Sequence, residues 1–293
     1  MIAGRQRKQG WTEPSIDTLH GQPGHGQSNV VIELWVVALS VLRQSEHLIC
    51  QLSDDEEQRA CAMATARAAA DYRYSRALLR RLLATRLACA PLNIAFEYGG
   101  AGKPTLAQGP AFNLSHSRSC LTIAIAHSNF RGRLGVDVEE LVNPQAATSL
   151  PARCFAEQER LQLQSYREDS ARCAAFTRGW ARKEALIKAE GSGLSLPLQN
   201  FVVSLDDHRA FAGRSLLTHS AIPCLVPEHC ALLDPGPWMQ NELAVAVMFD
   251  GVARPCKLVR RDPGLSDLAL IAADAHVTRP PRTLSGRYNP GLR

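Results

Sequence analysis

The chain has 293 residues, a formal net charge of +5 and a hydrophobic share of 45%, a composition typical of a globular protein with a sizeable core. No apolar run approaches the roughly 20 residues of a membrane-spanning helix. The nine cysteines include no Cys-x-x-Cys pair, which argues against a zinc site and against a disulfide framework. We therefore expect a cytoplasmic protein with no membrane partner.

The positive charge is unevenly distributed. Residues 251–293 hold eight Lys or Arg against three Asp, which accounts for the whole net charge. A neutral body with a basic tail is weak evidence for nucleic-acid binding, and we expect no nucleic-acid partner. Five further arginines fall within one predicted helix, at Arg73, Arg76, Arg80, Arg81 and Arg86. They form either a solvated helical face or a surface that contacts anions.

In chain order, residues 1–29 are polar and Gly-rich, and we expect an extension without fixed structure. The elements predicted next are a strand at Val30–Ala38, a helix capped by Ser53, a helical stretch to about Cys89 with a possible break near Asp71, and strands at Ile94–Tyr98 and Cys120–His127. A second series follows, with a strand at Leu134–Glu140, helices at about Ala156–Gln164 and Ala171–Glu190, a helix stop at Gly191, and strands at Phe201–Leu205 and Glu242–Phe249.

The order of these elements repeats, which predicts an α+β fold built from two similar halves in one chain. We place the first half at residues 30–134 and the second at 135–250. No repeat is visible in the residues themselves, so the duplication rests on element order alone. Residues 251–293, with five prolines and one short helix near Ser266–Ala273, are predicted to be a basic appendage. Removal of residues 260–293 is accordingly expected to leave activity intact.

Acidic side chains point to a metal site. In GVDVEE (Gly135–Glu140), strand alternation places Asp137 and Glu139 on one face. Glu184 lies on a helical face with Lys188, and that face is partly apolar, so its carboxylate needs a partner. Three carboxylates suit a hard ion such as Mg²⁺. A lone Asp-x-Glu on a strand more often simply faces water.

Two further segments carry polar groups. FNLSHS (Phe112–Ser117) presents hydroxyl groups and His116, which can hold a phosphate but is more often a structural donor. Lys103 lies in the turn GGAGKP (Gly99–Pro104), where a lysine is usually a solvated charge.

Three blocks in this order are together more specific than any one of them. FNLSHS, then GVDVEE, then WARKEALIKAEGSGLSLPL from Trp180 resemble the signature series of the Sfp-type 4′-phosphopantetheinyl transferases. Ala181 stands where the family more often has Ser or Thr. Supporting matches are the segments GKP (Gly102–Pro104), RALLRRLL (Arg76–Leu83), RCFAEQE (Arg153–Glu159) and IELW (Ile32–Trp35). The resemblance covers about Val30 to Asp250 and implies the pseudo-dimeric fold of that family.

The resemblance implies an enzyme that moves the phosphopantetheine arm of coenzyme A onto a serine of an acyl or peptidyl carrier protein and releases adenosine 3′,5′-bisphosphate. It assigns Mg²⁺ to Asp137, Glu139 and Glu184, with Glu184 or a metal-bound water as the base. Lys188 would stabilise charge on the phosphate, so Glu184, Lys188 and Asp137 are the expected catalytic residues. Coenzyme A contacts are implied for Lys103, Ser115, His116, Arg76, Lys183 and Lys188, with Lys183 anchoring either a phosphate or a neighbouring acid.

Two rival functions stay open. One is a module that binds coenzyme A or a carrier protein without catalysis, and the intact set of three acids and Lys188 argues against it. The other is a metal-dependent nuclease that uses the basic tail, and it leaves the FNLSHS and Trp180 blocks unexplained. The fused length predicts a monomer, whereas the pathway that it serves cannot be read from the sequence.

Overall fold

The computed structural model describes residues 29–48, 52–127, 130–207 and 216–274. The extension predicted for residues 1–29 lies outside these ranges, apart from Asn29. The helices are α1 (Leu39–Leu42), α2 (Asp54–Cys61), α3 (Ala66–Leu87), α4 (Pro144–Ser149), α5 (Pro151–Cys154), α6 (Glu157–Ser165), α7 (Asp169–Glu190) and α8 (Leu265–Asp274). The strands are β1 (Val30–Ala38), β2 (Glu97–Tyr98), β3 (Pro104–Thr105), β4 (Phe112–His116), β5 (Cys120–Ala126), β6 (Gly132–Glu140), β7 (Phe201–Val203), β8 (Leu217–Ser220), β9 (Cys230–Leu233), β10 (Asn241–Phe249) and β11 (Cys256–Arg261).

Three strands of each sheet follow the same topology, which confirms the predicted α+β fold of two similar halves. The first has the order β11-β1-β5-β4 and the second has the order β6-β10-β9. In each half a nine-residue strand pairs antiparallel with a strand near the end of that half, β1 with β5 and β6 with β10. Each half also carries one 22-residue helix, α3 or α7.

The core has three parts, and together they arrange the molecule in layers. Helix α3 buries Leu78, Leu79 and Leu82 against one face of the first sheet, and α7 packs in the same way on the second sheet. The opposite faces of the two sheets pack on each other, since Ile32 and Leu34 of β1 share a cluster with alternate residues of β6 and β10. The junction between the halves is therefore an apolar interface between sheets, with the long helices outside it.

Helix boundaries follow local signals where those signals are strong. Ser53 caps α2 in a capping box with Glu56, as Ser53 alone predicted. Gly191 ends α7 with φ at 95°, a conformation that glycine adopts at little cost. The break in the first helical stretch falls before Ala66 instead of near Asp71. Thr65 caps α3 by accepting from the Ala68 N–H, a local signal that the sequence interpretation missed.

The arginines of α3 do not form a solvated face, so that alternative is wrong for this helix, whereas the surface that contacts anions stays a prediction. Arg76 and Arg80 are 4% and 2% exposed, and both donate to the fully buried Glu56 carboxylate of α2, at 2.8 and 2.6 Å. Arg81 is also buried. Arg73 and Arg86 form ion pairs with Glu57 and Glu33. A carboxylate that is distant in sequence therefore pairs with two of the five arginines inside the protein.

The prediction of an appendage after residue 250 is wrong for the part that the structure describes. Strand β11 pairs in parallel with β1, with Val30 opposite Cys256 and Trp35 opposite Arg261. Helix α8 buries Leu268 completely in the core of the first half. The segment therefore extends the first sheet and covers the outer edge of β1. None of the helices in the described ranges is both long and apolar enough to cross a membrane.

Candidate active site

Strand β6 lies where the second half meets the first, and one glycine sets its contact with α7. A Cβ on Gly135 would lie 2.0 Å from the carbonyl oxygen of Ala185, so only glycine lets α7 approach this closely. Val136 and Val138 face the core between the sheets. Asp137 and Glu139 consequently face α7, as the alternation predicted.

Asp137 makes the central contacts of the site. Its Oδ1 accepts a hydrogen bond from Ser115 Oγ of β4 at 2.8 Å and lies 2.5 Å from Lys188 Nζ of α7. Lys188 Nζ also lies 2.8 Å from Ser115 Oγ, which closes a triangle of three polar groups. Asp137 is 1% exposed. The structure thus brings together one residue from the first half and two from the second.

Two further carboxylates lie within electrostatic reach of Asp137. Burial, reinforced by the Asp137 carboxylate, raises the pKa of Glu139 to about 7. Burial and Asp137 also raise the pKa of Glu184, while Lys188 opposes that shift. Trp180 of α7 donates its indole N–H to Glu139 Oε1 at 3.1 Å. The site therefore holds more negative charge than its single lysine balances, and such a group favours protons or a cation.

The donor groups fit a hard divalent cation in kind. Asp137 Oδ2 is buried and makes no hydrogen bond, although Oδ1 has two partners. An unpaired buried carboxylate oxygen is costly, and a cation would satisfy it. Among the described residues, no three His, Cys, Asp or Glu side chains form a ready-made ligand cluster. The ammonium of Lys188 provides the charge balance beside Asp137 in this structure.

Lys103 lies near the site but is already bonded. Its Nζ donates to the carbonyl oxygens of Leu134 at 2.9 Å, Lys188 at 2.6 Å and Ala189 at 3.2 Å. Burial lowers its pKa to about 8, and Arg133 acts in the same direction. The lysine therefore joins the β2–β3 turn to β6 and to the last turn of α7. Its predicted contact with coenzyme A stays a prediction.

Lys183 lies inside the second half, away from Asp137. Its ammonium is 2.8 Å from Glu159 Oε2 and donates to the carbonyls of Leu198 and Phe201 at 2.7 and 2.6 Å. Glu159 in turn accepts from the N–H groups of Ala156 and Val203. Of the two roles inferred for Lys183, this geometry favours the anchoring of a neighbouring acid.

The other two residues assigned to coenzyme A differ in accessibility. His116 is exposed at the end of β4, next to Ser115. Arg76 is buried, and its guanidinium donates to Glu56 and to the Tyr98 hydroxyl and stacks 4.5 Å from the Phe96 ring centroid. His116 is therefore open to a ligand, whereas the contact predicted for Arg76 stays a prediction.

Three contributors to the site were not assigned such roles from the sequence. Trp180 is named in the sequence analysis only as the first residue of the third block. Asn113 lies within FNLSHS, and its Oδ1 accepts from the Val136 N–H at 2.8 Å, which ties β4 to β6. Asn241 lies in no motif and is 1% exposed at the start of β10. The strand predicted from the sequence begins at Glu242, so Asn241 was left outside it, although a buried amide needs hydrogen-bond partners.

Comparison with known proteins supports the resemblance. A model of the 4′-phosphopantetheinyl transferase superfamily matches residues 133–246, the segment that contains β6, α7 and β10. The 4′-phosphopantetheinyl transferase HetI of Nostoc sp. is 32% identical over 170 residues, which cover 56% of this chain and 70% of that protein. The chain therefore belongs to the 4′-phosphopantetheinyl transferase superfamily.

Other relatives match over shorter shares. A putative 4′-phosphopantetheinyl transferase of Synechocystis sp. is 38% identical over 124 residues, 41% of this chain and 49% of that protein. The L-aminoadipate-semialdehyde dehydrogenase-phosphopantetheinyl transferase of Xenopus laevis is 32% identical over 170 residues, 53% of this chain and 55% of that protein. The matches thus span about half the length of these two relatives.

Proposed function

We propose that the protein transfers the 4′-phosphopantetheine group of coenzyme A to a serine of an apo acyl or peptidyl carrier protein and releases adenosine 3′,5′-bisphosphate. The observation that carries this proposal is the meeting of Asp137, Ser115 and Lys188 at the junction of the halves, beside two more carboxylates. Membership of the superfamily supports the reaction class.

The reaction is a phosphoryl transfer, so catalysis rests on positioning and on stabilisation of charge. Lys188 places a cation beside Ser115 and Asp137, where it neutralises charge that develops on the pyrophosphate. Glu184 accepts the proton of the attacking serine, and burial and Asp137 raise its pKa above the ordinary carboxyl value, which makes it a stronger base.

Magnesium is the expected metal, and Asp137, Glu139 and Glu184 are the residues that would hold it. The unpartnered Asp137 Oδ2 supports this assignment. When bound, the ion supplies charge neutralisation at the pyrophosphate. Trp180 holds the Glu139 carboxylate in one orientation through its indole N–H. Glu184 is assigned both as a metal ligand and as the base, and Glu184→Gln distinguishes these two roles.

Coenzyme A lies along the exposed end of β4 in this proposal. His116 contacts the 3′-phosphate, and Ser115 orients the phosphate end next to Lys188. Lys103, Lys183 and Arg76 would have to exchange present partners to contact the ligand, so we assign them no contact in the resting structure. The protein acts as a cytoplasmic monomer.

The test is to mix purified protein, coenzyme A, Mg²⁺ and an apo carrier protein and to measure the intact mass of the carrier. The expected result is a gain of one phosphopantetheine group that disappears when Mg²⁺ is chelated. Glu184→Gln should abolish the gain. If this variant still binds Mg²⁺ in calorimetry with the affinity of the unchanged protein, its loss of activity identifies Glu184 as the base.

Negative results lead to the rival functions. If several apo carriers gain no mass, a transferase of narrow specificity and a binding module both stay open, and equal binding of coenzyme A by the unchanged protein and by Asp137→Ala would favour the binding module. Metal-dependent cleavage of DNA that weakens with salt would instead support the nuclease.

A further inference from the structure

The turn between β4 and β5 is attached to the second half of the chain by the buried amide of Asn241. This residue begins β10 and pairs with Glu140 of β6. Its Oδ1 accepts a hydrogen bond from Ser117 Oγ at 2.7 Å. Its Nδ2 donates to Ser119 Oγ and to the Trp238 carbonyl, both at 3.3 Å. One side chain therefore contacts the turn of one half and the backbone of the other.

Ser117 transmits this attachment to the backbone of the turn. Its hydroxyl oxygen accepts from the N–H groups of Ser119 at 3.3 Å and Cys120 at 3.1 Å. Ser119 donates its own hydroxyl to Glu140 Oε1 at 2.8 Å. Ser117 bonds both to Asn241 and to the backbone of the turn, and Ser119 bonds to Glu140. The turn therefore cannot shift relative to β6 and β10 without breaking several hydrogen bonds.

The other end of β4 has an anchor of its own. Asn113 Oδ1 accepts from the Val136 N–H of β6 at 2.8 Å. Ser115 and His116 lie between this anchor and the one at Ser117. The hydroxyl of Ser115 donates to Asp137 of β6 from this segment at 2.8 Å. Two amides from different parts of the chain therefore set the position of the segment that carries the phosphate-binding candidates.

We infer that Asn241 is a positioning residue for the transfer reaction. It touches neither coenzyme A nor the carrier serine. It holds the β4–β5 turn so that Ser115 and His116 face the phosphates of coenzyme A in register with Asp137 and Lys188. The inference rests on the proposed function, because the ligand that it serves is coenzyme A. Asn241→Ala leaves the Ser117 hydroxyl without its acceptor and frees the turn.

The experiment compares Asn241→Ala with Ser75→Ala as the matched control. Ser75 is also buried, and it donates one hydrogen bond, to the Asp71 carbonyl within α3, far along the chain from the turn. The measurements are the melting temperature, the KM for coenzyme A, the kcat and the amide hydrogen exchange of the peptide that spans residues 112–121.

We expect Asn241→Ala to raise the KM for coenzyme A at least about threefold, the ratio that one lost hydrogen bond produces. Exchange should accelerate at the amides of Ser119 and Cys120. Ser75→Ala should lower the melting temperature without either effect. Ser117→Ala should reproduce the change in KM. The KM of the double variant should not exceed that of the single variants, because both substitutions remove the same hydrogen bond between Ser117 and Asn241.

Several outcomes would overturn the inference. If Asn241→Ala lowers the melting temperature while KM, kcat and exchange of the turn stay unchanged, the amide is merely structural. If Asn241→Ala does not fold, Ser117→Ala decides alone by the same criteria. If the unchanged protein transfers nothing, the proposed function fails, whereas the exchange measurement still shows whether Asn241 holds the turn.

Discussion

Ser115 of β4 donates a hydrogen bond to Asp137 of β6 at 2.8 Å, and this contact joins the two halves of the chain at the centre of the site. Neither half alone contains the arrangement. The first half supplies the hydroxyl, and the second supplies the carboxylates and Lys188. The two sheets pack through an apolar interface, and these polar groups lie outside that apolar cluster. The duplicated fold thereby produces a site at its junction.

Replacement of Asp137 by Asn is predicted to lower the rate of phosphopantetheine transfer at least about 100-fold. The substitution removes the charge beside Lys188 and one donor of the expected Mg²⁺ site while it preserves shape. The initial rate of carrier mass gain measures the effect. Glu97→Gln, which alters an exposed acid of β2, is the control and should keep the normal rate. A rate within tenfold of normal in Asp137→Asn would remove Asp137 from the catalytic group.

The carboxylates predict a pH dependence of stability in the metal-free protein. The pKa of Glu139 rises to about 7 on folding, so the folded state binds more protons than the unfolded state between about pH 4.5 and 7. Stability from this group is therefore greatest at low pH and falls as the pH rises through that window. With allowance for its partly hydrated side chain, the loss is on the order of 1 to 2 kcal/mol.

Chemical denaturation from pH 5 to 8 in the presence of a chelator measures this slope. Glu139→Gln should flatten it, because a neutral amide does not titrate. Mg²⁺ should raise stability most at the high end of the range, where the carboxylates are ionised. An identical slope in Glu139→Gln would assign the titration to another group.

Local chemistry explains how much the sequence could predict. Strand β1 begins and ends at the residues predicted for it, and Gly191 ends α7 as expected. The shared face of Asp137 and Glu139 also follows from strand geometry alone. What failed depends on partners distant in sequence. No residue near Arg76 in the sequence indicates that its guanidinium pairs in the interior with Glu56, 20 residues earlier.

The same reasoning applies to the end of the chain. Strand β11 is short and its partner is β1, more than 220 residues away, so its pairing has no local signal. The prolines around it suggested an irregular tail. Asn241 was missed for a related reason, since its partners Ser117 and Ser119 belong to the other half.

Lys183 and Glu159 provide a test of structural against ligand-binding roles. The ammonium and carboxylate are 0% and 1% exposed. Burial lowers the pKa of Lys183 and raises that of Glu159, so each charged form depends on its partner. Lys183→Met leaves a buried carboxylate uncompensated, and we expect a loss of about 3 to 5 kcal/mol in the free energy of unfolding.

The double variant Lys183→Met with Glu159→Gln should recover much of that loss, since no unpaired charge stays buried. Its KM for coenzyme A should equal that of the unchanged protein. If the double variant has normal stability but a raised KM for coenzyme A, Lys183 binds a phosphate of coenzyme A. Denaturant titration and steady-state kinetics on the three proteins separate these outcomes.

The C-terminal helix gives the last prediction, which replaces the expectation that residues 260–293 are dispensable. Leu268 of α8 is fully buried in the core of the first half, whereas Leu270, two positions along, is 64% exposed. Leu268→Ala removes buried apolar contacts and should lower the free energy of unfolding by about 2 to 5 kcal/mol. Leu270→Ala makes the same chemical change at the surface and should stay within about 0.5 kcal/mol. Equal effects of the two substitutions, measured by denaturant unfolding, would mean that α8 does not pack on the core, and deletion of residues 260–293 would then leave the rate of phosphopantetheine transfer intact.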